Sequence, residues 1–180
     1  MTSSTQLGER RRQAIALSYI AALYSAANDG GKAEQYYRQA AGVYGGDPAL
    51  SLTLRNNRGN VLLALERYNE AGAEYLEAIK IARQLKDPLI EARVLGNLAR
   101  AQVDENQLDA AERTLTRGFA LAPGSDAKGF RQQLLATSAY VALQRGDLKR
   151  AKRLITQGIR RRGPDRDCGC FPARRISMPI

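Results

Sequence analysis

Residues 55–82, RNNRGNVLLALERYNEAGAEYLEAIKIA, carry Asn56, Asn57 and Asn60 close together in a run that otherwise favours helix. Asparagine is a poor helix former because its side chain competes for backbone hydrogen bonds, so another demand must place it there. A side-chain amide offers a donor and an acceptor together, which suits pairing with the backbone of an extended peptide whatever its sequence. Further along, Arg93 and Arg100 fall on successive turns of one helix, a spacing that can engage one carboxylate or two neighbouring ones.

Covalent chemistry finds less support. The chain has no histidine, and its cysteines are Cys168 and Cys170. The commonest general base and the commonest metal ligand are therefore both missing. Two cysteines one residue apart read as reduced thiols in a tail, with a metal or intermolecular disulfide role left as the alternative. Gly42, Gly45 and Gly46 lack the spacing and strand context of a phosphate loop. The carboxylates Glu70, Glu74 and Glu77 beside Lys80 read as a solvated helix face. No nucleophile has a base beside it. The expectation is a protein that is not an enzyme, with no cofactor and no metal site.

The elements that must position the amides and arginines are helices. Of 180 residues, 44% are hydrophobic and 26% charged, with six prolines, which fits one domain with a real core. Alanine, leucine, arginine and glutamate abound while β-branched and aromatic residues are sparse, so summed propensity points to an all-α fold. The net charge of +10 is unevenly spread: residues 1–144 hold 17 Lys/Arg against 15 Asp/Glu, and residues 145–180 hold 11 against 3. At the other end, Arg10–Arg12 precede QAIALSYIAALYSAA, which has the look of a signal peptide. Leu17, Ile20, Ala21 and Tyr24 recur there at one-face helical spacing, which favours a retained helix. No apolar run is long enough to span a membrane, and the expected location is the cytoplasm.

One pattern recurs four times. An alanine is followed by an apolar residue four later and a small residue three after that: Ala33, Tyr37, Ala40; Ala71, Tyr75, Ala78; Ala111, Leu115, Gly118; Ala151, Ile155, Gly158. The alanines are 38, 40 and 40 residues apart, and twelve residues before each lies another small residue, Ala21, Gly59, Ala99 and Ala139. Small residues at fixed places on two helices let them approach closely in an antiparallel hairpin, with the tyrosine or leucine filling the wider end. Asp47-Pro48 and Asp87-Pro88 suit an N-cap followed by proline at the first helical position. The organisation read from this is a flexible N-terminus (1–9), an array over 10–162 with hairpins at about 13–45, 48–85, 88–122 and 126–162, and a basic irregular tail (163–180).

Gly59, Leu62, Tyr68, Ala71, Tyr75 and Ala78 in the second unit, with Leu95, Leu98 and Pro123 in the third, resemble the tetratricopeptide repeat. The period of about 40 is longer than the family's usual 34, as in the repeats of bacterial signalling proteins, and the tryptophan often found on the first helix is missing. The resemblance implies a right-handed α-solenoid whose first helices line a concave groove for a partner peptide or helix. Carried over position by position, the inward-facing residues are Ser18 and Ala22, then Asn56, Asn57 and Asn60, then Arg93, Asn97 and Arg100, then Gln133, Thr137 and Tyr140. The implied ligand is a protein or peptide that is acidic or ends in a free carboxylate, its main chain held by Asn57, Asn60 and Asn97. Asn60 and Asn97 match the asparagine pair of the carboxylate clamp that binds chaperone tails, but its lysine and arginine places fall on Asn56, Gln133 and Thr137.

The last unit poses a separate problem. Leu154, Ile155, Gly158 and Ile159 hold positions that a following first helix would cover. The tail folding back through Phe171 and Ile176, end-to-end pairing of two chains, or a continuing protein would each cover them. From residue 163 the composition breaks abruptly, as a truncation or frame change would leave it. The alternative is a basic arm for nucleic acid through Lys149, Arg150, Lys152, Arg153, Arg160, Arg161 and Arg162, though no aromatic platform is interleaved among them. The reading of the whole is a protein-interaction module, with a regulatory segment of a larger bacterial signalling protein as the second reading.

Overall fold

A computed structural model describes residues 4–123 and 128–160 of the chain. Among the described residues the structure is all-α, with eight helices and no strand. They are α1 (Ser4–Ala26), α2 (Gly30–Val43), α3 (Pro48–Ala64), α4 (Tyr68–Gln84), α5 (Pro88–Asp104), α6 (Leu108–Leu121), α7 (Lys128–Gln144) and α8 (Leu148–Arg160). Successive helices pair as hairpins, α1 with α2, α3 with α4, α5 with α6 and α7 with α8, and each hairpin packs on the next. The result is an all-α solenoid. Residues 4–9, expected to be flexible, belong to α1. Nothing between Ser4 and Ala26 breaks a helix except the tolerated Gly8, so α1 extends several residues upstream of the repeat itself. Cys168, Cys170, Phe171, Ile176, Arg161, Arg162 and the remainder of the 163–180 tail lie outside the described residues.

The small residues do what their spacing predicts. Ala21, Ala33, Ala71, Ala99 and Ala111 are fully buried, and Ala139 and Ala151 almost so. The contact is tightest at Gly59, where an added Cβ would meet Tyr75 Cε1 at 2.6 Å. Only a glycine on α3 lets the α4 tyrosine lie flat against its backbone. Tyr75 is fully buried as a result and joins Leu62, Leu95 and Leu98 in the central cluster. The same device binds one hairpin to the next at Gly118 of α6, where a Cβ would lie 2.9 Å from Leu134 of α7.

One turn closes three of the hairpins. At Asn28, Glu66 and Asn106 the backbone takes a positive φ of 62°, 60° and 62°, and the fourth hairpin has Gly146 there at 75°. In each, the amide three residues past the end of the helix donates to a carbonyl five residues back, as Arg67 N does to Leu62 O at 2.9 Å and Gln107 N to Gln102 O at 2.7 Å. This is the Schellman arrangement that satisfies the open carbonyls of a helix end. Lys86, between the second and third hairpins, repeats it with φ 55°. Helix starts are capped by Asp29, Asp47, Asp87 and Asp147, whose carboxylates accept from backbone amides two or three residues on. Pro48 and Pro88 sit at the first turns of α3 and α5, as expected.

Candidate functional site

The first helices form a continuous row: α5 packs on both α3 and α7, while no second helix packs comparably on another among the described residues. The candidate site is built on this row of α3, α5 and α7.

Its backbone is a relay of amides. Asn97 Nδ2 on α5 donates to Asn56 Oδ1 on α3 at 2.9 Å, and Gln133 Nε2 on α7 donates to Asn97 Oδ1 at 2.6 Å. Asn56 Nδ2 in turn donates to Asn57 Oδ1 at 3.2 Å. Three hairpins are thereby tied together through side chains alone. Asn56 must accordingly be removed from the set of groove-facing amides. It is 6% exposed, with its oxygen taken by α5 and its nitrogen by its neighbour. Asn97 and Gln133 are half-buried. The opening anomaly is thus resolved in part by a demand internal to the fold: an amide crossing from helix to helix satisfies a donor and an acceptor that leucine could not.

Asn57 and Asn60 behave differently. Burial pushes the Tyr37 hydroxyl up from its ordinary pKa, and a hydrogen bond with the Asn57 side chain pulls it partly back. Asn60 is exposed, and its Oδ1 accepts from the Tyr75 hydroxyl at 2.8 Å. Burial holds that hydroxyl well above the ordinary tyrosine range, so it stays a donor at any physiological pH. The oxygen of Asn60 is thus held by Tyr75 while the residue itself stands exposed on the row.

The two arginines do not share one task. Arg100 Nε donates to Asp104 Oδ2 at 2.9 Å, and its guanidinium stands 4.8 Å above the Tyr140 ring. Arg93 is half-buried, and its Nε is buried with no hydrogen-bond partner. Seven residues on one helix separate them by about 10 Å along the axis, which suits two acidic groups better than one. Thr137 donates back to the Gln133 carbonyl at 3.2 Å, as helical threonines do, and turns little toward the groove. Ser18 does likewise toward Ile15, and Ala22 is exposed on α1, which lies outside the row.

Sequence reasoning missed the carboxylates that pin the hairpins. Glu34 on α2 is 5% exposed and accepts from Arg58 on α3 at 2.6 and 2.9 Å. Arg58 reaches on to Glu74 on α4 at 2.6 Å, where Arg55 also binds, so Glu74 serves an ion pair between helices and not the solvated face expected of it. Glu91 on α5, also 5% exposed, takes Arg83 from α4 and Arg117 from α6, both at 2.8 Å. A signal for Glu91 was available: with Val94, Leu95 and Leu98 it completes the i, i+3, i+4, i+7 set of a buried face. Of the supposed nucleic-acid arm, Arg150 is engaged by Glu112 at 2.7 Å.

Among the described residues no helix is long and apolar enough to cross a membrane, and no group of three potential metal ligands occurs. No curated protein sequence matches the chain. Among solved structures it is similar to aspartyl phosphate phosphatase F from Bacillus subtilis (TM-score 0.74, 18% identity, covering 84% of this chain and 40% of that one). It also resembles BtubC from P. vanneervenii (TM-score 0.69, 22% identity, 91% and 68% covered) and the N-terminal domain of stress-induced protein-1 from C. elegans (TM-score 0.57, 20% identity, 69% and 96% covered). The chain spans well under half the length of the phosphatase, and at these identities the likeness is one of fold. Residues 50–123, which hold α4, α5, α6 and most of α3, match the family model of the tetratricopeptide repeat, and the glycine and alanine contacts of that stretch are repeated by the hairpins on either side.

Proposed function

We propose that the chain is a non-catalytic protein-interaction module that holds a partner's peptide or helix against the row of first helices, across the second to fourth hairpins. The observation that carries this reading is Arg93, a guanidinium whose Nε is withdrawn from water without an acceptor of its own. An acidic side chain or a free C-terminal carboxylate would supply one, through a charge-assisted hydrogen bond. Asn57, Asn60 and Asn97 would hold the ligand's main chain, with Arg100 and Tyr140 at the far end as a second place for negative charge. The amide relay beneath them supports the reading, because a surface fixed before binding loses little entropy on binding.

The experiment is a screen of the purified chain against an array of random peptides, each with a free and an amidated C-terminus. Binders enriched in acidic residues or free carboxylates, weakened at least about tenfold by Asn60→Ala with Arg93→Ala, are the expected result. Binders indifferent to both substitutions would refute the groove.

A second reading, a regulatory segment of a longer bacterial signalling protein, is favoured by the fold likeness to aspartyl phosphate phosphatase F over 84% of this chain and 40% of that one. A further hairpin and an output domain encoded downstream of codon 163, in any frame, would support it.

A further inference from the structure

The inner row leaves one surface unused, at the end of the array. Ile155 holds on α8 the place that Tyr37, Tyr75 and Leu115 hold on α2, α4 and α6. Those three are 4%, 0% and 3% exposed, and Ile155 is 48% exposed. The difference has one cause. Tyr37 is covered by Leu54 and Val61 of α3, Tyr75 by Leu95 and Leu98 of α5, and Leu115 by Leu134 of α7. Among the described residues no helix follows α8 to do the same.

The uncovered face has a specific shape. A groove of about 270 Å³ runs between Leu135 and Ala136 of α7 and Leu154, Ile155 and Ile159 of α8, with Gly158 in its floor. At the equivalent Gly118 the side chain of Leu134, from the incoming α7, fills the notch at 2.9 Å from where a Cβ would stand, whereas nothing lies within 4 Å of that point at Gly158. The notch that a leucine fills at Gly118 is open at Gly158.

Charge decides between occupants. Residues 148–160 contain no Asp or Glu, and Lys149 and Lys152 follow Ile155 around the helix, so one rim of the groove is basic. Neither lysine is engaged in an ion pair among the described residues. A second copy would bring either its own equally basic α8 or α1, where Arg10 and Arg12 are exposed beside Arg11, itself taken up by Asp47 at 3.1 Å, and would set like charges together. Within the array the precedent runs the other way: α5 arrives on α4 with Glu91 accepting from Arg83 at 2.8 Å.

We propose that the α7–α8 face is a docking site for an acidic amphipathic helix of a partner protein, which lies on it as α5 lies on α4 and α7 on α6. It inserts a leucine at Gly158, covers Ile155 and Ile159, and sets carboxylates against Lys149 and Lys152. This site is separate from the groove of first helices, and the two stand or fall independently.

The test titrates the full chain into a fluorescein-labelled synthetic helix of the 17-residue length of α5, with the apolar face of α5 and glutamates elsewhere, and into its counterpart with lysines in place of the glutamates. The expected result is binding of the acidic helix that weakens with salt and drops more than about tenfold in Ile155→Glu and in Gly158→Leu. Gly158→Leu fills open space, so its fold is retained, which circular dichroism checks. Lys149→Glu with Lys152→Glu should transfer preference to the lysine helix. Equal binding of the two helices, binding of neither, or self-association of the full chain that Ile155→Glu abolishes in sedimentation would each overturn the proposal.

Discussion

Gly59 and Tyr75 show how much one pair of residues can carry. The tyrosine ring occupies the space a Cβ at residue 59 would need, and it cannot retreat because Leu62, Leu95 and Leu98 enclose it. Gly59→Ala is therefore expected to destabilise the chain by about 1–3 kcal/mol through overpacking, even though alanine is the better helix former. Urea unfolding measures it, and an unchanged midpoint would mean that α3 and α4 can separate freely. The pair was legible beforehand, because small and large residues alternated at fixed spacing in four copies. The partners of the asparagines were not. The residue type showed that a donor and an acceptor were wanted together, but whether a neighbouring helix or a foreign peptide supplied the other half depended on distances no spacing reveals.

At the scale of the element, helices are started and stopped by local rules, and these were mostly readable. Proline after aspartate marked two starts correctly. The stops at Glu66 and Lys86 were less visible, since neither residue favours the left-handed region each occupies. Glu66→Gly and Lys86→Gly should each stabilise the chain by up to about 1 kcal/mol, and Gly146→Ala should cost a similar amount. Thermal unfolding of the three variants checks the signs. The caps also make a pH prediction. Backbone amides, that of Leu50 foremost, together with Arg11, hold the Asp47 carboxyl below its ordinary value, and the Lys32 amide does the same for Asp29. A carboxyl depressed in the folded state contributes stability that is present above its unfolded pKa of about 3.9 and is lost as pH falls through the folded value. Stability should thus decline below about pH 4, and less steeply in Asp47→Ala, in denaturation curves taken at successive pH values.

For the whole molecule the question is how four hairpins become one cooperative body. Each touches only its neighbours, so the interfaces set whether the array unfolds together or in pieces. The amide relay crosses the second and third of these interfaces, the buried Glu34 pins the first, and the buried Glu91 reinforces the second through Arg83. Asn97→Ala deletes both bonds at the middle of the relay and leaves buried Asn56 Oδ1 without its donor. A loss of about 1–3 kcal/mol follows, together with a shallower unfolding transition as the array begins to divide at α5. A single sharp transition of unaltered slope would show that apolar packing alone couples the hairpins.

The sequence by itself determined that the chain is helical, that its helices pair, and where the pairs touch. Those properties are local or periodic: propensity sums over neighbouring residues, and a contact needed four times leaves the same residue types four times. Tertiary structure alone decided which polar groups meet. Arg58 reaches Glu34 and Glu74, 24 and 16 residues away, Asn97 lies between Asn56 and Gln133, 41 and 36 residues away, and Arg93 Nε is left without a hydrogen-bond partner among the described residues, because stacking brought helices distant in the chain together. A polar side chain's role depends on what stands within 3 Å of it, and that is a property of the assembled solenoid.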